Sequence, residues 1–360
     1  MANGKSKGLA VFACIVALLV GLVAGFFLYA FLTREEGGDV YVSGDLQIHF
    51  MELGNAHAGD SVYIKAGDAD ILIDAGSTRT STNTTAAYME QYVTDGTLEY
   101  VIVTHADEDH IAGFAGTSSA PSMFDRFTCE VIIDFARTNK DTVVYNDYVS
   151  QRDEAVAEGA VHYTALECWN NENGAKRTYE VSDGIEMSVL YNYYYEHSSD
   201  DENNYSVCLL FSQGDKHFLF TGDLEEDGEA RLVENNDLPE VELFKAGHHG
   251  SKTSSTDALL SVIKPKIVCV CCCAGTDEYT DTPANQFPTQ AMIDRVAPYT
   301  EQVYVTSQVA SNADGYTSMN GNIVVTSNRG GVTVQCSNNN TLLKDTDWFK
   351  ANRETPAAWA

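Results

Sequence analysis

YVIVTHADEDH, residues 100–110, runs an apolar, β-rich segment (Tyr100 to Thr104) straight into His105, Ala106, Asp107, Glu108, Asp109 and His110. Two imidazoles and three carboxylates therefore fall within six residues, where a strand would end. Such density is costly without a counter-charge. A divalent cation supplies one, because imidazole and carboxylate are ligand types suited to zinc, manganese or iron. The plain alternative is a solvated acidic loop with two incidental histidines, and the neighbouring segments weigh against it.

Outward from this cluster, the same arrangement recurs. Asp74 closes the apolar run Asp70 to Asp74 and leads into Ala75-Gly76-Ser77, where a carboxylate held by a tight turn can orient a metal ligand. Phe218 to Thr221 leads into Gly222-Asp223, and Val241 to Lys245 leads into Ala246-Gly247-His248-His249-Gly250-Ser251. Each alone reads as a turn or a surface histidine pair. Together they place four of the nine histidines in loops after strands, where open β/α folds build their sites.

Strand-like runs at Leu46 to Leu53, Ser61 to Ala66, Asp70 to Asp74 and Tyr100 to Thr104 surround a helix predicted over Thr84 to Val93. The later half repeats that style. Ser206 to Ser212, Lys216 to Thr221 and Val241 to Lys245 read as strands, with helices over Glu226 to Glu234 and Asp257 to Ile263. Between the halves, Phe124 to Tyr195 offers a strand at Val131 to Phe135 and a helix around Asp147 to Glu158, and no chemistry is assigned to it. Three more β-rich runs follow, Gln302 to Gln308, Asn322 to Thr326 and Val332 to Cys336. Two similar β/α halves predict an α/β (α+β) fold, a four-layer αββα sandwich over residues 46–336, with residues 337–360 as a packed or frayed tail.

Gly8 to Leu32 is uncharged for about 25 residues, enough at 1.5 Å rise to cross roughly 30 Å of hydrocarbon. A transmembrane anchor over residues 8–32 is the expectation, with residues 1–7 cytoplasmic and residues 33–45 a linker. Lys5 and Lys7 precede the run while Arg34, Glu35 and Glu36 follow it, so the positive-inside rule puts the rest of the chain outside the cell membrane. A cleaved signal peptide is the competing reading, but its apolar region is usually shorter, roughly 7 to 15 residues.

Against 52 Asp and Glu stand 22 Lys and Arg, a formal charge of −30, which counts against a broad DNA-binding face. A phosphate ester at a metal remains compatible, since a bound cation outweighs local carboxylates. Of nine cysteines, Cys269, Cys271, Cys272 and Cys273 lie in the apolar run Ile267 to Ala274. Adjacent residues of a strand point to opposite faces, so this run reads as a buried strand of core thiols in preference to a zinc knot.

With these motifs in order, Asp74, the 105–110 cluster, Asp223 and His248-His249, the chain resembles the metallo-β-lactamase superfamily over about residues 46 to 330. Within it, Asp107 in place of a second histidine, Asn203-Asn204-Tyr205-Ser206-Val207, Thr221 to Glu225 and His248 to Lys252 are similar to the extracellular domain of ComEC-type competence proteins. The superfamily's isolated histidine between cluster and Gly-Asp is not evident, and Phe287-Pro288 stands where many ComEC-like chains carry His-Pro.

The resemblance implies one or two divalent ions, Mn or Zn. One would be held by Asp109, His110, His249 and bridging Asp223; the other by His105, Asp107 and shared Asp223, with a bias towards manganese. Asp74 would orient a ligand. Asp109 and His248 would act in catalysis on a water activated between the metals, while Ser251, Lys252, Asn204 and Ser206 would meet an anionic substrate. The expected activity is that of a membrane-anchored extracellular phosphodiesterase or nuclease acting on DNA or on a small or surface-borne phosphodiester. A phosphorylcholine-esterase or lactonase-like hydrolase, or a non-catalytic binding module on the same fold, are the alternatives.

Overall fold

The computed structural model describes residues 46–310 and 315–360. The predicted span at residues 8–32 lies outside them, and no helix among the described residues is long and apolar enough to cross a membrane.

Short β-branched and aromatic runs build two eight-stranded sheets. The first half supplies β1 (Leu46–Phe50), β2 (Val62–Ala66), β3 (Ala69–Ile73), β4 (Thr97–Ile102), β5 (Thr128–Asp134) and β6 (Val161–Thr164). The second supplies β7 (Thr178–Ser182), β8 (Ile185–Val189), β9 (Leu209–Gln213), β10 (Lys216–Phe220), β11 (Leu243–Lys245), β12 (Ile267–Ala274), β13 (Val303–Val309) and β14 (Tyr316–Ser318). The last two strands, β15 (Ile323–Asn328) and β16 (Gly331–Cys336), return to the first sheet beside β1. The orders are β16-β15-β1-β2-β3-β4-β5-β6 and β14-β13-β12-β11-β10-β9-β8-β7.

Each sheet changes from antiparallel hairpins to parallel pairing, β3 to β6 in one and β10 to β13 in the other. A parallel step needs a crossover, and helices provide it. They are α1 (Thr82–Met89), α2 (Glu108–Ala115), α3 (Met123–Arg126) and α4 (Val143–Glu158) on the first sheet. The strand β6 is followed by α5 (Ala165–Asn170), and α6 (Glu226–Asn235), α7 (Asp257–Ile263) and α8 (Gln290–Val296) serve the second sheet. Parallel strands end on one edge, so the loops after β3, β4, β10 and β11 gather there.

The core between the sheets joins Ile48, Phe50 and Val101 to Phe211, Phe220, Cys269 and Cys271, with Phe50 and Phe220 stacked at 6.3 Å. Ala86, Met89, Phe114 and Tyr148 close its outer side. A second cluster packs Leu219, Phe244, Val270 and Cys272 against Leu232, Leu259 and Ile293 of α6 to α8. The result is the helix, sheet, sheet, helix layering expected from the two halves. All eight residues of β12 are buried and its thiols are free, with Cys269 and Cys271 in the core between the sheets and Cys272 in the second cluster.

Two differences from the sequence reading have local causes. The middle segment contributes β6, β7, β8 and α5, because edge strands that alternate exposed and buried residues carry a weak apolar signal. Helix α2 begins inside the acidic cluster itself, where Glu108 and Asp109 occupy its first turn and favour the positive end of the helix dipole. Of the two expected forms, the tail takes the packed one: Leu343, Trp348, Phe349 and Trp359 are buried, and α9 (Asp347–Asn352) packs through Phe349 on Trp359 at 5.9 Å. A Cβ at Gly113 would overlap the carbonyl oxygen of Ala75, so only glycine lets α2 lie this close to the turn after β3.

Candidate metal centre

Asp74 follows β3 in a left-handed conformation, φ 58°, with its backbone N–H donating to the Ile102 carbonyl at 3.0 Å. That turn aims the carboxylate into the loop after β4. Its Oδ1 accepts from Thr104 N at 2.8 Å, and Oδ2 accepts from Thr104 Oγ1 at 2.7 Å. The same Oδ2 lies 2.8 Å from His110 Nδ1, which fixes the ring so that Nε2 points forward, 3.2 Å from Asp223 Oδ2. Asp107 caps α2 in extended conformation, and its Oδ2 sits 3.5 Å from His105 Nε2.

The second sheet delivers the other side. After β10, Gly222 at φ 54° turns Asp223, whose N–H donates to Ser206 Oγ at 3.0 Å. After β11, His248 (φ 46°) and His249 (φ 53°) are both left-handed, a strain of the kind that gathers at functional sites. His249 Nδ1 lies 3.0 Å from the Cys271 carbonyl, and its Nε2 lies 3.0 Å from Asp223 Oδ2 and 3.1 Å from Asp109 Oδ2. The ring centroids of His105 and His110 are 4.1 Å apart and those of His110 and His249 5.2 Å. Of the six residues read from the sequence as metal ligands, His110, Asp223 and His249 come together, Asp109 reaches them through His249, and His105 and Asp107 form a neighbouring pair.

Burial alone disfavours imidazolium at His110 and His249, yet Asp223 raises both well above the ordinary value, with help from Asp74 at His110 and Asp60 at His249. Reciprocally, burial opposes ionisation of Asp223, but His249, His110 and Lys245 hold it well below the usual carboxylate range. Asp109 is depressed in the same way by His249 and His110. Here protons do what a cation would do. Nε2 of His110 and Oδ2 of Asp223 are buried with no hydrogen bond beyond the ion-pair contacts to each other and to His249, and Nε2 of His105 has none beyond its contact to Asp107; an imidazole and carboxylate set of this kind fits a divalent ion.

Asp60 was missed in the sequence. With His110, Asp223 and His249 it offers ligand atoms all within 4.8 Å of one another. Its carboxylate is nevertheless engaged from behind, in contact with the buried Lys245 ammonium and 3.2 Å from His249 Nδ1. Lys245 also reaches Asp223 Oδ1 at 3.2 Å. Asp109 approaches His249 from the Nε2 side and Asp60 from the Nδ1 side. The signal was present: Gly59-Asp60 repeats the Gly222-Asp223 pattern, but before a strand instead of after one.

A cleft of about 590 Å³ opens over this centre, lined among others by Asp107, Asp109, Asn203, His248, Glu278 and Tyr279. Tyr279 donates its hydroxyl to Asp109 Oδ2 at 2.6 Å. His248 Nδ1 lies 3.2 Å from Glu225 Oε1. The four residues expected to meet substrate do not line the cleft. Ser251 is buried and paired with Thr253 at 2.9 Å; Lys252 is exposed and reaches Asn285 at 3.1 Å. Asn204 turns away to Ser199, and Ser206 is spent on the Asp223 N–H, 3.5 Å from His105 Nδ1.

The model of the Metallo-beta-lactamase superfamily matches residues 54–121 and 200–274, the two segments that carry the centre. The chain is a metallo-β-lactamase-fold protein with a candidate divalent-metal site. Its relatives include competence proteins: it is 27% identical to ComE operon protein 3 of Bacillus subtilis (strain 168) over 175 residues, 47% of this chain and 19% of that one. It is 24% identical to Competence protein ComA of Neisseria gonorrhoeae over 248 residues, 67% of this chain and 28% of the relative. The matches thus span less than a third of these relatives. Among solved structures, the metallo-beta-lactamase fold protein YhfI from Bacillus subtilis is 10% identical with a TM-score of 0.43, covering 73% of this chain and 97% of its own.

Proposed function

We propose that the chain is a metal-dependent phosphoester hydrolase, most simply a phosphodiesterase of the nuclease type, anchored in the cell membrane by residues 8–32 with residues 46–336 on the outside. The observation that carries the reading is the grouping of Asp60, His110, Asp223 and His249, whose ligand atoms lie within 4.8 Å of one another, next to Asp107 and Asp109 in the wall of an open cleft. The donor set is rich in carboxylate oxygen, which suits manganese as well as zinc and suits phosphate chemistry. A divalent ion held there supplies a Lewis acid and a water of lowered pKa.

The chain's own residues account for the rest. Asp109 is fixed by His249 and Tyr279 at the cleft floor, where it can align the attacking water. Glu225 engages Nδ1 of His248 and leaves Nε2 of that ring to the cleft, placed to give a proton to a departing alkoxide. The formal charge of −30 favours a small or surface-borne phosphodiester over a long polyanion.

The test uses the purified 360-residue chain. Bound metal is measured, and hydrolysis of bis-p-nitrophenyl phosphate is followed with Mn²⁺ or Zn²⁺ in the wild type and in Asp109→Ala. The expected result is metal-dependent turnover that falls by about 100-fold or more in the variant, the scale of losing a group that acts in the transition state. Activity that survives Asp109→Ala moves the site elsewhere, and metal binding without any hydrolysis leaves a binding module on this fold.

A further inference from the structure

The two halves of the centre are unequal. On one side Asp223 lies 3.2 Å from His110 Nε2 and 3.0 Å from His249 Nε2, with Asp109 3.1 Å from His249 Nε2 and 4.0 Å from His110 Nε2. On the other, His105 Nε2 and Asp107 Oδ2 stand 3.5 Å apart. The stretch after residue 202 brings Asn203 to the cleft and Ser206 beneath His105, and Phe287 packs its ring 5.9 Å from His249. No imidazole completes this second half among the described residues. What does reach it is a lysine: Nζ of Lys140 contacts Oδ1 of Asp107.

Lys140 is delivered by construction, not by a free surface loop. It follows β5 in a segment tied down by Glu202, whose carboxylate accepts from Thr138 Oγ1 at 2.6 Å and Asn139 N at 2.7 Å. Asn139 Nδ2 donates to the Ser199 carbonyl at 2.8 Å, and Lys140 N donates to Thr138 Oγ1 at 2.9 Å. Glu202 belongs to the short 3-10 turn Glu202–Tyr205 that also places Asn203 in the cleft. Two facing elements therefore lock the ammonium onto Asp107.

We propose that Lys140 takes the place of a second metal ion. On this view, which rests on the metallohydrolase reading above, the centre holds one divalent cation at Asp109, His110, Asp223 and His249. The ammonium on Asp107 is then the other positive charge that meets an anionic phosphoryl substrate. A dication entering between His105 and Asp107 must displace the ammonium or approach it closely, and like charges held that close in a protein repel strongly. One ion and one lysine can still clamp two oxygens of a phosphoester, with the lysine contributing a point charge and three donors.

The experiment is metal stoichiometry, not activity. The purified 360-residue chain, with Lys140→Met and Lys140→Arg, is dialysed to equilibrium against Mn²⁺ and its bound metal counted by mass spectrometry. The expected result is one equivalent in the wild type and in Lys140→Arg, and a second equivalent in Lys140→Met. Retention of the first equivalent certifies that each variant is folded. Two equivalents in the wild type, or one in all three proteins, overturn the lysine's part while leaving the metallohydrolase reading intact. No bound metal in any of them overturns that reading, and this inference falls with it.

Discussion

Oδ2 of Asp74 lies 2.8 Å from Nδ1 of His110, and both side chains are fully buried. The pair sets which nitrogen of His110 is free, and the free one faces Asp223. Because Asp74 also accepts both the N–H and the hydroxyl of Thr104, it anchors the loop that carries His105. One carboxylate behind the centre thus aims two imidazoles in front of it.

Asp74→Asn should weaken metal binding by roughly 10- to 100-fold while the chain stays folded, the usual cost of removing an orienting partner from a metal ligand. Titration with Zn²⁺ against a competing chelator measures it. An unchanged dissociation constant would show that the loop after β4 holds His110 without Asp74.

Most of this arrangement was legible because strand ends announce themselves. Asp74, His105, Asp223 and His249 each follow an apolar run, and parallel pairing of β3 with β4 and of β10 with β11 brings run ends together. What stayed hidden depends on pairing across long stretches of chain. Asp60 precedes its strand, and only the β2–β3 hairpin, Val62 opposite Ile73, brings it beside Asp74. Lys140 and Tyr279 sit in polar loops indistinguishable by composition from any other, and contacts to Asp107 and Asp109 alone give them meaning. Conversely, Ser251 and Lys252 sat beside the histidine pair in sequence, but the left-handed turn at His248 and His249 sends the following chain away from the cleft.

Lys245 is 2% exposed and lies between Asp60 and Asp223, so its charge is fully used. Lys245→Met should destabilise the metal-free protein by about 3 to 5 kcal/mol, because it leaves two buried carboxylates facing each other. Asp60→Asn in the same chain should recover part of that loss by removing one of them. Urea unfolding of the single and double variants checks both statements, and additive losses would mean that the three groups do not act as a unit.

His49 on β1 gives a pH dependence remote from the metal centre. It is 1% exposed, with Nδ1 2.7 Å from the Tyr88 hydroxyl and its ring 4.7 Å from that of Tyr92. Burial lowers its pKa to about 4, whereas an unfolded histidine titrates near 6.5. Between these values the unfolded chain binds the extra proton. Stability from this group is therefore complete above about pH 6.5 and is lost as pH falls towards 4, by about 3 kcal/mol in all. In His49→Phe the difference in unfolding free energy between pH 7 and pH 4.5 should shrink by about 2 to 3 kcal/mol relative to the wild type, whatever the variant's absolute stability. An identical difference in both proteins would mean that His49 takes up its proton in the fold as readily as in the unfolded chain.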